Sequence, residues 1–158
     1  MTTTFVTDGM TDILVTRQFK APPAAVFRAH TDPDLIRRWM LGPDGWSMPV
    51  CISDARPGGQ MRFEWSDGNG NGFYATGEYI EVTPHSRIVH IERMFLPDPT
   101  PDNHVTTVFE PSAGGTRLVM RMSLPTPEAR AAVLASGMEH GMEDSYARLE
   151  RVVEDTNA

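Results

Sequence analysis

The stretch that most constrains this chain runs from Thr126 to Glu154. It opens on a helix-start signal: Thr126 in the N-cap position, Pro127 at the first helical position and Glu128 in the first turn. Its second half sets Met138, Met142, Ser145 with Tyr146, Leu149, and Val152 with Val153 at spacings of three and four, one apolar stripe on a helix. Glu139, Glu143, Asp144, Arg148, Glu150 and Arg151 fall on the opposite side, which reads as solvated. Gly137 and Gly141 each cost about 1 kcal/mol relative to Ala inside a helix. A break near Ser136–Gly137 is therefore expected, with a short helix before it and a longer one after. An amphipathic helix that closes a strand-rich chain must lay its stripe on a sheet.

The rest of the chain supplies that sheet. Residues 1–11 are polar and Thr-rich and read as a loosely ordered terminus, and residues 12–155 read as one domain. Asp12–Lys20 alternates and is β-branched, a strand stopped by Pro22-Pro23. Ala24–His30 reads as a short helix; a second follows the Thr31-Asp-Pro-Asp34 cap, with Leu35, Ile36 and Trp39 at helical spacing. Six strands come next: Met48–Ser53, Gln60–Ser66, Phe73–Val82, Arg87–Phe95, Val105–Glu110 and Thr116–Leu124. Most of the connections are short and rich in Gly, Pro, Asn or Asp, as hairpins require. The order β-α-α-β6-α, without helical crossovers between the six strands, predicts an α+β fold with a curved antiparallel sheet and its helices on one face.

Composition narrows the partners. The 158 residues carry a formal net charge of −7 and no basic run, which argues against nucleic acid and anionic membrane surfaces. The one cysteine, Cys51, excludes an intrachain disulfide and fits a reducing compartment. No secretion signal and no apolar run near 18 residues is visible, so the cytoplasm is the expected location. Eight of the ten methionines lie beyond Met10, inside the body of the fold. Methionine fills irregular space and is over-used on adaptable binding surfaces.

Several segments resemble a known family. Ala21–Trp46 (APPAAVFRAHTDPDLIRRWMLGPDGW) is similar to its opening, where Pro-x-x-x-Val-Phe/Trp precedes Thr-Asp-Pro and a Trp-x-x-Pro stretch. Asp54–Gly59, Gly77–His90, Thr106–Met120 and Gly141–Val153 follow in the expected order and spacing. By these the chain resembles the activator-of-chaperone-ATPase (Aha-type) homologues. They belong to the SRPBCC superfamily, with START lipid-transfer domains, birch-pollen-allergen-like proteins and aromatic polyketide cyclases. The resemblance implies a helix-grip fold: a bent antiparallel sheet gripping the C-terminal helix, with an apolar cavity between them. Met142 and Met40 stand where the family often has Trp or another aromatic, exchanges that alter cavity shape more than fold.

Given that fold, alternation nominates the lining. Met61, Phe63 and Trp65 share one strand face, and Leu118, Met120, Met122 and Leu124 another. Met138, Met142 and Tyr146 approach from the helix, and Tyr79 adds a hydroxyl. The competing reading is a dry, filled core. Strand Arg87–Phe95 has two readings. Alignment to the family turns Ile88, His90, Glu92 and Met94 inward, whereas local apolarity turns Val89, Ile91 and Phe95 inward and leaves His90 and Glu92 wet. The wet reading is preferred, because an uncompensated buried carboxylate is costly. Trp39 and Trp46 flank Gly42-Pro43-Asp44-Gly45, at the expected cavity mouth, with Trp39 also read as the anchor of its helix.

His30 and His140 lack metal-ligand spacing, Cys51 lacks a partner motif, and no Ser-centred nucleophile motif occurs, so neither a cofactor nor a metal is expected. The favoured function is non-catalytic binding of a small, largely apolar molecule. The alternative is a cyclase- or hydrolase-like enzyme using His90, Glu92, Tyr79 and Tyr146. A third is a module acting on a chaperone, disfavoured because these residues lack the additional N-terminal domain of the eukaryotic activators. An exposed strand edge or the outer sheet face offers a route to a homodimer.

Overall fold

The period-two segments resolve, in a computed structural model that describes residues 3–96 and 98–157, into one sheet. The described strands are β1 (Thr4–Asp8), β2 (Asp12–Phe19), β3 (Ser47–Ser53), β4 (Gln60–Ser66), β5 (Gly72–Thr83), β6 (Arg87–Phe95), β7 (Asn103–Ser112) and β8 (Gly115–Ser123). The helices are α1 (Pro23–Thr31), α2 (Pro33–Trp39), α3 (Pro127–Ala135) and α4 (Met138–Asn157). The sheet order is β1-β2-β8-β7-β6-β5-β4-β3, antiparallel throughout. The chain crosses from β2 through α1 and α2 to the far edge, then meanders back until β8 lies against β2. This is the expected α+β helix-grip architecture.

Local chemistry accounts for the boundaries. Asp32 caps α2, its carboxylate accepting the Asp34 N–H at 3.0 Å, so the cap sits one residue past Thr31. Thr126 caps α3, its hydroxyl accepting the Ala129 N–H at 3.0 Å. The break between α3 and α4 falls where expected: Gly137 has φ +82°, a left-handed conformation that a side chain would strain. In β5, a Cβ on Gly77 would lie 2.3 Å from the Ile91 carbonyl oxygen and 3.0 Å from the Met61 thioether. Glycine therefore lets β4, β5 and β6 close up there, next to a register shift between Tyr79 and Glu81.

The N-terminus departs from expectation. Thr4–Asp8 pairs with β2 from Thr4↔Thr16 to Asp8↔Asp12, so much of the segment read as loose is an edge strand. Residues 1 and 2 lie outside the described residues. The missed signal is Asp8-Gly9 between Val6 and Ile13, the dipeptide that favours a tight hairpin, with Gly9 at φ +57°.

The core lies between the concave sheet face and the helices. Ile13, Val15 and Phe19 of β2, Leu118 of β8 and Phe109 of β7 meet Val26 and Ile36 from α1 and α2 and Leu149 and Val153 from α4, all with at most 2% exposure. Covering each such side chain is worth roughly 1.5–3 kcal/mol. Burial fades toward the start of α4, where Met138 and Met142 are half-covered, and α3 buries no residue fully. The roof is thus firmly seated at its C-terminal end and lightly seated at the other.

Candidate functional site

Register shows which side of each strand faces α4. On β8, Leu118, Met120 and Met122 are buried and lie opposite Phe109, Thr107 and Val105 of β7. Val105 in turn pairs with His90, Thr107 with Ile88, and His90 with Tyr79, all on the same concave face. Ile88, His90, Glu92 and Met94 therefore look inward, and the preferred wet reading of this strand is overturned. Two things outweigh local apolarity. The outer side chain Phe95 stacks on Tyr74 with ring centroids 4.5 Å apart, so an outward aromatic finds cover. The inward carboxylate is compensated rather than alone: Glu92 meets His90 Nε2 at 3.2 Å and the Asn103 amide nitrogen at 3.4 Å.

These three residues, with the buried Thr107 and Arg17 on the same face, form the polar part of a mostly apolar wall. The side chains of His90 and Glu92 keep 16% and 30% of their surface exposed. Yet His90 Nδ1 and Asn103 Oδ1 are buried and have no hydrogen-bond partner among the described residues. An atom left so costs about 1–3 kcal/mol. Tyr146 reaches the same region from α4. Burial pushes its hydroxyl pKa well up, with the Arg17 charge pulling it down and Glu92 raising it further.

The expected lining is brought together unevenly. Trp39, Met61, Phe63, Tyr79, Met120, Met122 and Tyr146 are each at most 9% exposed and belong to the packed core. Met138, Met142 and Trp65 are half-buried against it. Trp39 is an anchor: its indole N–H donates to the Ala29 carbonyl at 2.8 Å and its ring stacks on Tyr146 at 5.9 Å. Tyr79 has its hydroxyl 2.6 Å from Ser53 Oγ, and burial raises its pKa. Trp46 is half-buried, edge-on to Phe73, which stacks on Trp65.

Two recesses open away from this lining. One recess of about 160 Å³ sits between the β1–β2 edge and α3, lined by Phe5, Ile13 and Leu134. A wider one of about 400 Å³ borders Trp65, Phe73, Tyr74 and Asn71 at the β4–β5 turn. Of the expected lining, these two recesses touch Trp65 alone.

Two residues read as solvated instead hold the site's frame. Arg148 is 14% exposed at its side chain; it donates to the Gly42 carbonyl at 2.6 Å and pairs with Asp44 at 2.9 Å. Ser145 accepts the Gly42 N–H at 2.9 Å, and Trp65 donates to the Met40 carbonyl at 2.8 Å. The 40–46 loop is thereby tied to both α4 and β4. Glu143 pairs with Arg17 of β2 at 3.2 Å and accepts the Thr3 N–H at 3.0 Å. Helical spacing finds the apolar stripe, but it cannot separate a charge on the flank of that stripe from one in open water.

Behind the wall, His30 Nδ1 lies 2.8 Å from the Val26 carbonyl, and its ring packs on Trp39 and Phe109 at 4.9 and 5.1 Å. The residue retains some accessible surface, but its ring is enclosed by these neighbours. Desolvation lowers its pKa from 6.5 to about 4, the Val26 hydrogen bond opposing and the nearby His90 reinforcing the shift. Between these values the unfolded chain binds a proton that the folded chain refuses. The stability tied to neutral His30 is complete above pH 6.5 and is lost as pH falls toward 4. Denaturant titrations should show up to about 3 kcal/mol lost across that window. His30→Phe should remove most of this slope; an unchanged slope in the variant would assign it to other groups.

Among the described residues no cluster of three or more His, Cys, Asp or Glu is arranged to hold a metal, and no helix is long and apolar enough to cross a membrane. Burial raises the Cys51 pKa to about 11, so its thiol stays protonated near neutral pH.

Comparison with known proteins agrees with this architecture. A solved protein of Rhodobacter sphaeroides is 32% identical, over 97% of this chain and 99% of that one, with a TM-score of 0.91. Protein NE0264 of Nitrosomonas europaea is 26% identical over 96% and 99%, with a TM-score of 0.83. Protein Ms6760 of Mycobacterium smegmatis, at 21% identity over 95% and 96% with a TM-score of 0.84, shares the fold. No curated protein matches the chain. The model of the family described as "Activator of Hsp90 ATPase homolog 1-like protein" matches residues 20–154. That span covers α1 through nearly all of α4, and the chain belongs to this family within the SRPBCC superfamily.

Proposed function

We propose that this protein binds a small, largely apolar molecule between the concave sheet face and α4, without transforming it. The observation that carries the reading is the pair of buried, unpartnered atoms, His90 Nδ1 and Asn103 Oδ1, set in a wall of thioethers and rings. A core that needed only to be filled would gain by making these positions apolar. Family membership supports a domain that binds a ligand or a protein. Room for the guest comes from Met138 and Met142, whose flexible side chains sit under the lightly seated end of the roof. The cytoplasm is the proposed location.

The test is uptake of a neutral hydrophobic fluorophore such as N-phenyl-1-naphthylamine. Saturable enhancement, lost when Met142 is replaced by Trp to fill the space, is the expected result. No uptake by the folded protein would count against a binding chamber.

A second reading draws on the inward face of β6. A carboxylate orienting an imidazole whose other nitrogen is unengaged is the arrangement a general base uses. It is the lesser reading, since burial raises the pKa of both hydroxyls that reach this wall, Tyr79 and Tyr146, and so disfavours their ionised forms. Turnover of an ester or polyketide-like substrate, abolished by His90→Gln, would promote it. Activation of a chaperone ATPase has the family description behind it and no surface feature that favours it.

A further inference from the structure

The bonds made by Glu92 determine what its two neighbours have left to offer. A carboxylate only accepts hydrogen bonds. The His90 nitrogen 3.2 Å from it, Nε2, must therefore carry the proton, which leaves Nδ1 of the neutral ring with a lone pair. The same logic orients Asn103: its NH₂ faces Glu92, and the reversed amide would set oxygen against oxygen. Oδ1 is what remains. With the ring neutral, His90 Nδ1 and Asn103 Oδ1, buried and without partners among the described residues, are both acceptors.

The surrounding charge points the same way. Glu92 is one negative charge, and the nearby Arg17 cation is already paired with Glu143 at 3.2 Å. This part of the wall therefore disfavours another acceptor or an anion and favours a group that brings hydrogens. Met120, Met122, Ile88 and Tyr79, with the Thr107 hydroxyl between Met120 and Ile88, complete a buried and mostly apolar lining.

From this we infer that the molecule held under α4 is an apolar compound ending in a hydrogen-bond donor, a hydroxyl or an amino group, and that His90 with Asn103 selects for it. The inference rests on the binding reading above and adds the class of ligand. Specificity of this kind is effective because a ligand lacking the donor leaves both acceptors buried and unmet.

A matched set of linear probes of ten or eleven carbons tests it: 1-decanol, decylamine, decyl methyl ether and decanoate, each competed against N-phenyl-1-naphthylamine on the intact protein at neutral pH. Decanol should displace the dye at concentrations about tenfold or more below those needed for the ether, which has the same chain and only accepts. Decanoate should be weaker still. Decylamine, whose ammonium also meets the Glu92 charge, separates a preference for cations from one for donors in general. In His90→Phe and Asn103→Leu, the advantage of decanol over the ether should vanish while the ether continues to bind. Circular dichroism checks that each variant is folded, and the wild-type ranking stands as a test even where a variant is not. Equal displacement by decanol and ether, or preference for decanoate, overturns the donor rule but leaves the chamber standing. Failure of the dye and every probe to bind removes the chamber itself.

Discussion

Trp39→Ala should cost about 3–5 kcal/mol of unfolding free energy, the range for deleting a buried aromatic. With a total stability on the order of 5–15 kcal/mol, the variant would sit near the edge of folding. The size follows from what the indole touches. It is 3% exposed, stacks on Tyr146 of α4, packs on His30 of α1, and donates to the Ala29 carbonyl near the end of α1. Truncation empties a site shared by three helices and leaves that carbonyl unpaired. Trp46→Ala is the comparison: its ring is half-buried and edge-on to Phe73, so the loss should be about 1 kcal/mol. Urea midpoints at constant slope measure both. Equal, small losses would mean that Trp39 does not anchor the helices.

Glu143→Ala should cost about as much, and far more than removal of its partner. The Arg17 side chain is 3% exposed, whereas that of Glu143 is 39% exposed. Without Glu143, a buried guanidinium loses the carboxylate 3.2 Å from it, and breaking a buried pair on that side typically costs about 3–5 kcal/mol. Without Arg17, the carboxylate turns to water, so Arg17→Met should cost less, about 1 kcal/mol, with the hydrogen bond to Thr3 Oγ1 and the contact over the Phe19 ring among what is lost. Glu143 also accepts the Thr3 N–H, so its loss should loosen β1 and speed amide exchange there first. Burial pushes the Glu143 carboxyl up, but hydrogen bonds from Thr3 and the Arg17 charge outweigh it and hold the pKa below its ordinary value of 4.5. Stability from this group is present above that value and falls away as the pH drops through the lower folded one. A larger loss for Arg17→Met than for Glu143→Ala would reverse this account.

What the sequence made legible follows from range. Capping, proline placement and glycine breaks are local, and Thr126, Pro127 and Gly137 do in the folded chain what their chemistry predicts. Period-two alternation on β4 and β8 assigned the inner face because one side of each strand is plainly more apolar. On β6 both faces are mixed, and the decision rests on partners distant in sequence: Asn103 for Glu92 inside, and Tyr74 for Phe95 outside. No window of β6 alone contains that information. Arg148 and Glu143 were misread for the same reason, since their partners Gly42, Asp44 and Arg17 lie more than a hundred residues away. The edge strand β1 was legible in Asp8-Gly9 but masked by a run of threonines that looked like a free end.

The guest proposed above sits among the methionines beneath α4. Selective ¹³C labelling of methionine methyl groups gives each its own NMR signal. Titration with a ligand that displaces the fluorophore should shift Met120, Met122, Met138 and Met142 together, while Met10, on the exposed β1–β2 turn, stays still. Saturable binding that leaves those four signals unmoved would place the ligand somewhere else, and the chamber under α4 would have to be given up.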